Sequence, residues 1–456
     1  MSTLHDLPVR TSPDPVLPPK EVSRRPSAGS GPSRWNSPRR ALLLLLRHPM
    51  PAAALLAASL QGGWALWLAT NGGDMAAQYA WAQFAAAHPG SAYDLAWYGG
   101  MHPVSYSVLT PYLMAFAGVR TTGVIAGTLS AVVFARLLMR CSTARPLLPA
   151  LVGAAALACD TASGRITFAV GVFLALSAIL AIFESWGSPG QRTSVAAVLA
   201  VLATLASPVD GLFLLTVAPA LFLTGRRGAA CALAAGPSLV VAVTALVFPF
   251  HGVQPYGLLQ LFLVLATTLP LALLAPVSWR AVRVGAWTYA VGNLLTVVIP
   301  SPIGSNVERL ALLFGAAVLL AAARSTAGRR SRVLWIACTL ALAWQSIQPL
   351  TDLAVAAPAE DDVRHVMTHG IRVPQGDGRR SDGLHSRQRL LAEVRDVIDD
   401  IVGEQLVQSV QLSLVAQMTM HRDQLGDDSA VLNIQCHGNP HGPPEKLGQV
   451  LESVIL

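Results

Sequence analysis

From about residue 51 to residue 350 the chain repeats one pattern, a long aliphatic run followed by a short loop carrying arginine, proline or glycine. Such runs leave few folds open. In lipid every backbone N–H and C=O must be satisfied within the protein, which a helix achieves alone and an isolated strand does not. A run of ~20 apolar residues matches a ~30 Å hydrocarbon layer. With 53% hydrophobic and only 12% charged residues, the chain also has too little polar surface for an aqueous globule. The sequence therefore predicts an all-α, polytopic transmembrane helix bundle at the cell membrane, with the lipid bilayer as its first partner.

Apolar length places spans at 51–70, 121–139, 146–160, 166–184, 194–206, 211–224, 228–247, 258–275, 284–299, 308–323 and 333–349, roughly eleven crossings. Their loops fall into two sets. One carries Arg136, Arg140, Arg145, Arg192, Arg226, Arg227, Arg280, Arg283, Arg324, Arg329, Arg330 and Arg332, and the opposite set carries Arg165 and Arg309. Since arginine is retained on the cytoplasmic side, the rich set faces inward and the protein is expected to be N-inside and C-outside. It follows that 104–118 cannot be a full crossing, and Pro111 agrees by threatening to kink or stop a helix there. Residues 71–118 then form a large first extracytoplasmic loop.

The bundle with this loop is assigned to 39–353. Residues 1–38, rich in Pro, Ser and Arg, read as a disordered, basic cytoplasmic tail, because they hold too little apolar surface to fold. The apolar run begins only at Ala41, too late for a signal peptide. Residues 354–456 read as a soluble C-terminal tail with one amphipathic helix, whose stripe is Leu390, Val394, Val397, Ile401, Val407 and Leu414, interrupted by Gly403. The formal charge of +7 is mostly arginine at span ends, a topology signal, so no nucleic-acid partner is expected. Five cysteines stand singly with no C-x-x-C and point to neither a metal nor a disulfide framework.

Chemistry is concentrated in the loop NGGDMAAQYAWAQFAAAHPGSAYDLAWYGGMHPVSYSVLTPYLMAFAG, where two carboxylates, two histidines and nine aromatic residues gather. From 74 to 88 it reads as an interfacial helix with Met75, Tyr79 and Ala82 along one stripe. Asp74 is either a cap of that helix or a carboxylate turned to a cavity as general base or metal contact. His102 follows two glycines and could assist a proton transfer. In SPIGSNVER, Asn306, Glu308 and Arg309 stand at an outer helix start, and Arg165 holds the analogous place at another span. An arginine there can grip a phosphate or carboxylate. On the predicted topology Asp160, Asp210, His251 and Asp352 join them at the outer face. No G-x-x-x-x-G-K-[ST] and no H-E-x-x-H is present, and the spans from 211 to 299 hold no acidic or basic residue in their interiors. Nucleotide-driven export, zinc proteolysis and an ion-driven pump thus lack their required groups.

A first span, then an Asp followed by a Tyr in GGDMAAQY, a small-residue surface helix, the HPGSAYD turn and an apolar run ending at Gly118 together resemble the first extracytoplasmic loop of GT-C glycosyltransferases. The resemblance implies a multi-span enzyme that moves a sugar from a polyprenyl-phosphate donor to an acceptor at the outer face. It gives Asp74 the role of base or metal-interacting group, with Arg165 or Arg309 for the donor phosphate and Tyr79, His102 and Asn306 as further substrate contacts. A divalent metal is the possible cofactor. Asp74 has no adjacent second acid, and no Lys precedes the apolar run at 104. The chain also resembles bacterial membrane proteins labelled major-facilitator transporters, although the short basic loop expected between the second and third spans is replaced by GVRTT at 118–122. A multi-pass transporter or a non-catalytic membrane protein is the alternative.

Overall fold

A computed structural model describes residues 47–69, 74–95, 105, 107–141, 143–249, 252–299 and 301–369, with Gln348 and 351–369 as backbone alone. The tail expected at 1–38, the stripe from Leu390 to Leu414, His102 and His251 lie outside the described residues. Those described belong to one compact unit that begins at Leu45. Every regular element among them is a helix.

In chain order these are α1 (Pro49–Gly63), α2 (Asp74–Ala87), α3 (Thr110–Ala117), α4 (Val119–Arg140), α5 (Leu147–Ala162), α6 (Ile166–Phe183), α7 (Pro189–Ala206), α8 (Pro208–Leu223), α9 (Arg227–Val247), α10 (Leu258–Leu274) and α11 (Arg280–Val298). A rod over Gly304–Arg324 follows, ending in α12 (Ala316–Arg324), and then α13 (Gly328–His369). Trp64–Leu68 widens the end of α1 into a π turn.

Proline opens α1, α3, α7 and α8 in the first turn, where its missing N–H costs no hydrogen bond. Pro111 therefore starts α3 rather than stopping a helix. At α7 the Ser188 hydroxyl accepts from the Gln191 N–H while the Gln191 side chain accepts from the Ser188 N–H. That capping box moves the start of the helix back from the expected 194 to Pro189.

A helix lies on each expected apolar run. Five of the helical segments, Val119–Arg140, Ile166–Phe183, Arg227–Val247, Arg280–Val298 and Gly304–Arg324, are long and apolar enough to cross a membrane. α5, α8 and α10 are apolar but shorter. With 8 residues, α3 spans only ~12 Å and cannot cross. α13 runs on through the expected boundary at 353 without a break.

The bundle closes through small side chains. Alanines dominate the core where α1, α4, α5 and α6 meet, including Ala53, Ala57, Ala131, Ala135, Ala150 and Ala154. This is how helices approach when lipid removes the hydrophobic drive and close van der Waals contact must replace it. Gly153 shows the tolerance: a Cβ there would stand 2.4 Å from the Phe134 ring. Burial separates the helices into two ranks. α6 and the 304–324 rod are each 61% buried, whereas α9 and α11 are 17% and 22% buried, with Leu239, Leu246, Leu294 and Leu295 turned outward. α9 and α11 form an exposed apolar rim.

Residues of 71–118 fold onto this bundle. Trp64, Met75, Trp81, Ala82, Met114, Val119 and Ile166 make one buried cluster that seats α2 and α3 on the ends of α1, α4 and α6. Ser107 Oγ donates to the Ala206 carbonyl at 2.7 Å, and the Val108 N–H donates to Leu205 at 2.9 Å, pinning the approach to α3 against the end of α7.

Candidate functional site

Two short-range facts build the site. Gly164, between α5 and α6, has a left-handed φ of +78°, and a Cβ on it would lie 3.0 Å from the Met75 backbone nitrogen and 3.3 Å from Asp74 Cβ. Only glycine suits that backbone at that distance, so the Ser163–Gly164–Arg165 turn can press against the start of α2. From α2, Gln78 is buried and its Oε1 accepts from the Thr167 N–H at 3.3 Å. Thr167 is in the first turn of α6, where an N–H has no intrahelical acceptor, so α2 supplies one.

This docking brings Arg165 Nε to 3.5 Å from Asp74 Oδ2 and Arg165 Nη1 to 3.7 Å from Asp160 Oδ1. Both separations exceed hydrogen-bond length and are charge contacts. The two acids differ in setting: the Asp74 side chain is 41% exposed and that of Asp160 only 8%. Asp74 also stands in the first turn of α2, where the helix dipole favours a negative charge. It thus stands beside a guanidinium with part of its side chain open to solvent.

Arg309 enters from the 304–324 rod, its guanidinium 5.0 Å above the buried Phe168 ring. Its charge acts on Asp160, Asp210 and Glu308 alike. Glu308 is buried, and Asp210 is 1% exposed against α6. Gly171 leaves the notch that Asp210 fills, since a Cβ there would meet Asp210 Oδ2 at 2.1 Å. Four carboxylates and two arginines are therefore gathered at one end of the bundle. A shallow cleft open to solvent lies at this end, lined by Asp160, Ser163, Arg165, Arg309 and Gln345 with apolar neighbours.

The far end of α6 is built differently. Arg136 Nε donates to Glu184 Oε1 at 2.7 Å, Arg140 donates to Oε2 of the same carboxylate, and Arg192 donates to the Glu184 carbonyl. Arg226 joins them over the Phe183 ring at 4.8 Å. The hydrogen bonds from Arg136 and then Arg140 hold the Glu184 carboxyl down at about 2. With 18 residues in α6, this basic end stands ~27 Å from the Arg165 end.

Of the residues expected from sequence, Asp74 and Arg165 are brought together and Arg309 shares the cleft with Arg165. Tyr79 is committed elsewhere, its hydroxyl accepting from Arg120 Nε at 3.0 Å. Asn306 closes its own turn, Nδ2 donating to the Ile303 carbonyl at 3.0 Å. Sequence reasoning missed Arg120, which sits at the start of α4 and also donates to the Ala65 carbonyl at 3.3 Å, so it joins Arg165 and Arg309 at the arginine-poor end. It also missed the part of Gln345 in the cleft. Among the described residues no group of three or more His, Cys, Asp or Glu is placed to hold a metal ion. Asp74 and Asp160 instead converge on Arg165, so these residues do not fit the expected metal.

No protein-family model, curated protein or solved structure matches this chain.

Proposed function

We propose that the protein is a membrane glycosyltransferase that moves a sugar from a polyprenyl-phosphate donor to an acceptor hydroxyl at the outer membrane face. The observation that carries this reading is the partly exposed Asp74 carboxylate 3.5 Å from Arg165, which itself lines a cleft together with Arg309. In the reaction the acceptor oxygen forms a bond to the anomeric carbon, its proton passes to Asp74, and the bond from that carbon to the donor phosphate breaks. The electron pair leaves on the phosphate oxygen, where fixed positive charge stabilises it. Arg309 is the phosphate contact and Arg165 stands beside Asp74, 3.5 Å from its Oδ2. Roughly eleven crossings, N-inside and C-outside, put this end outside, because the Arg136, Arg140, Arg192 and Arg226 end is then cytoplasmic.

One observation favours a second reading. Asp160, Asp210 and Glu308 are buried around Arg309, and ionisable groups inside a membrane bundle commonly serve transport. Sealed vesicles carrying the protein separate the two. With a polyprenyl-phosphate sugar labelled in the sugar, the transferase reading predicts label in a product other than the donor. Saturable accumulation of free labelled solute in the lumen without a new product would instead support transport.

A further inference from the structure

The cleft has a wall that the reaction above does not use. α13 contributes Gln345 and Pro349 to its lining, alongside Arg165 and Arg309. Gln345 is 6% exposed, and its Oε1 is buried without a hydrogen-bond partner. An amide oxygen left so keeps its whole desolvation cost, which is recovered only when something donates to it. Nothing in the packing of α13 calls for an amide there, since its neighbours Ala341, Leu342 and Trp344 are apolar and pack into the core.

The other polar walls fix the chemistry of the donor. Arg165 and Arg309 bring positive charge, and Asp160 is set against Arg165 at 3.7 Å. A ligand that suits all of them carries an anion at one end and a hydroxyl or amide hydrogen at the other. We infer that Gln345 is a specificity-determining residue of the cleft, accepting a hydrogen bond from a hydroxyl or acylamino hydrogen of a sugar whose phosphate lies against Arg309. This assignment rests on the reading that the cleft takes a phosphorylated sugar. It adds that α13 reads the sugar while the arginines read only charge. A hydrogen-bonding site of this kind discriminates against ligands lacking the group, because they leave its buried polar atom unpaired.

The test is binding by titration calorimetry to the purified full-length chain in lipid nanodiscs, with glucose 1-phosphate, N-acetylglucosamine 1-phosphate and inorganic phosphate as probes. Wild type should bind at least one sugar phosphate about tenfold more tightly than phosphate, the size of one well-made hydrogen bond to a buried group. Gln345→Met keeps the length and flexibility of the side chain and removes its acceptor. It should erase that preference, leave phosphate affinity unchanged, and unfold at the same or a higher temperature, since an unpartnered acceptor has been removed. Retention of the preference in Gln345→Met overturns the assignment, as does a wild type that binds phosphate and both sugar phosphates equally. A Gln345-dependent preference without sugar transfer in vesicles would sink the transferase reading and leave this subsite standing. Transfer together with a preference indifferent to Gln345→Met would do the reverse.

Discussion

At the scale of single residues, exposure decides which substitutions can be interpreted. Arg165 neutralises the buried Asp160. Removing such a partner strands a buried charge at a cost of ~3–5 kcal/mol, so Arg165→Ala should unfold this end of the bundle whatever its part in chemistry. Asp74 is 41% exposed, and a pair of that kind contributes only ~0–1 kcal/mol, which makes Asp74→Asn the clean probe. Glu184 allows a prediction about pH. Its carboxyl is lowered from 4.5 to about 2 by Arg136 and Arg140, so its stabilisation is complete above 4.5 and is lost as pH falls toward 2. Glu184→Gln should lower the thermal midpoint by a few degrees at pH 7, and the difference from wild type should vanish near pH 2. A difference that persists unchanged to pH 2 would remove the charge from the explanation.

Among elements, α2 matters most, and it was readable for a physical reason. Its small and aromatic residues repeat with a helical period behind an acidic first turn, which fixed a helix at 74–88 against the observed Asp74–Ala87. The apolar runs were readable in the same way, since arginine, proline and glycine mark their ends. What sits beside α2 was not readable. Asp74 and Arg165 are far apart in the chain and meet only because Gly164 adopts a positive φ, a property that the string ASGRIT does not announce. Tyr79 and Asn306 look like free polar groups in sequence, yet each has a partner inside the protein, Arg120 and Ile303. Gly164→Ala tests the seat directly. It adds a left-handed backbone cost of ~1–2 kcal/mol and a contact with the Met75 nitrogen. Hydrogen exchange should rise over 74–87 with the bundle otherwise unchanged, and sugar transfer should fall. Unaltered exchange in α2 would show that the turn does not hold it.

On the scale of the whole molecule, the helices are sorted by what each end carries. One end collects Arg136, Arg140, Arg192 and Arg226 around Glu184, and the other collects acids around Arg165 and Arg309, ~27 Å away along α6. A bundle whose core is built on alanine and glycine and whose rim helices show leucine outward suits lipid on its sides and water at its ends. The central claim is that chemistry occurs at the acidic end with Asp74 as base. The direct measurement is the initial rate of sugar transfer from a polyprenyl-phosphate donor in membranes carrying wild type, Asp74→Asn, or Asp94→Asn as the control within the same loop. The account predicts a loss of ~10²–10⁴-fold for Asp74→Asn at unchanged protein level, with Asp94→Asn close to wild type. Transfer by Asp74→Asn at the wild-type rate would contradict it and leave Asp74 as the start of a helix and nothing more.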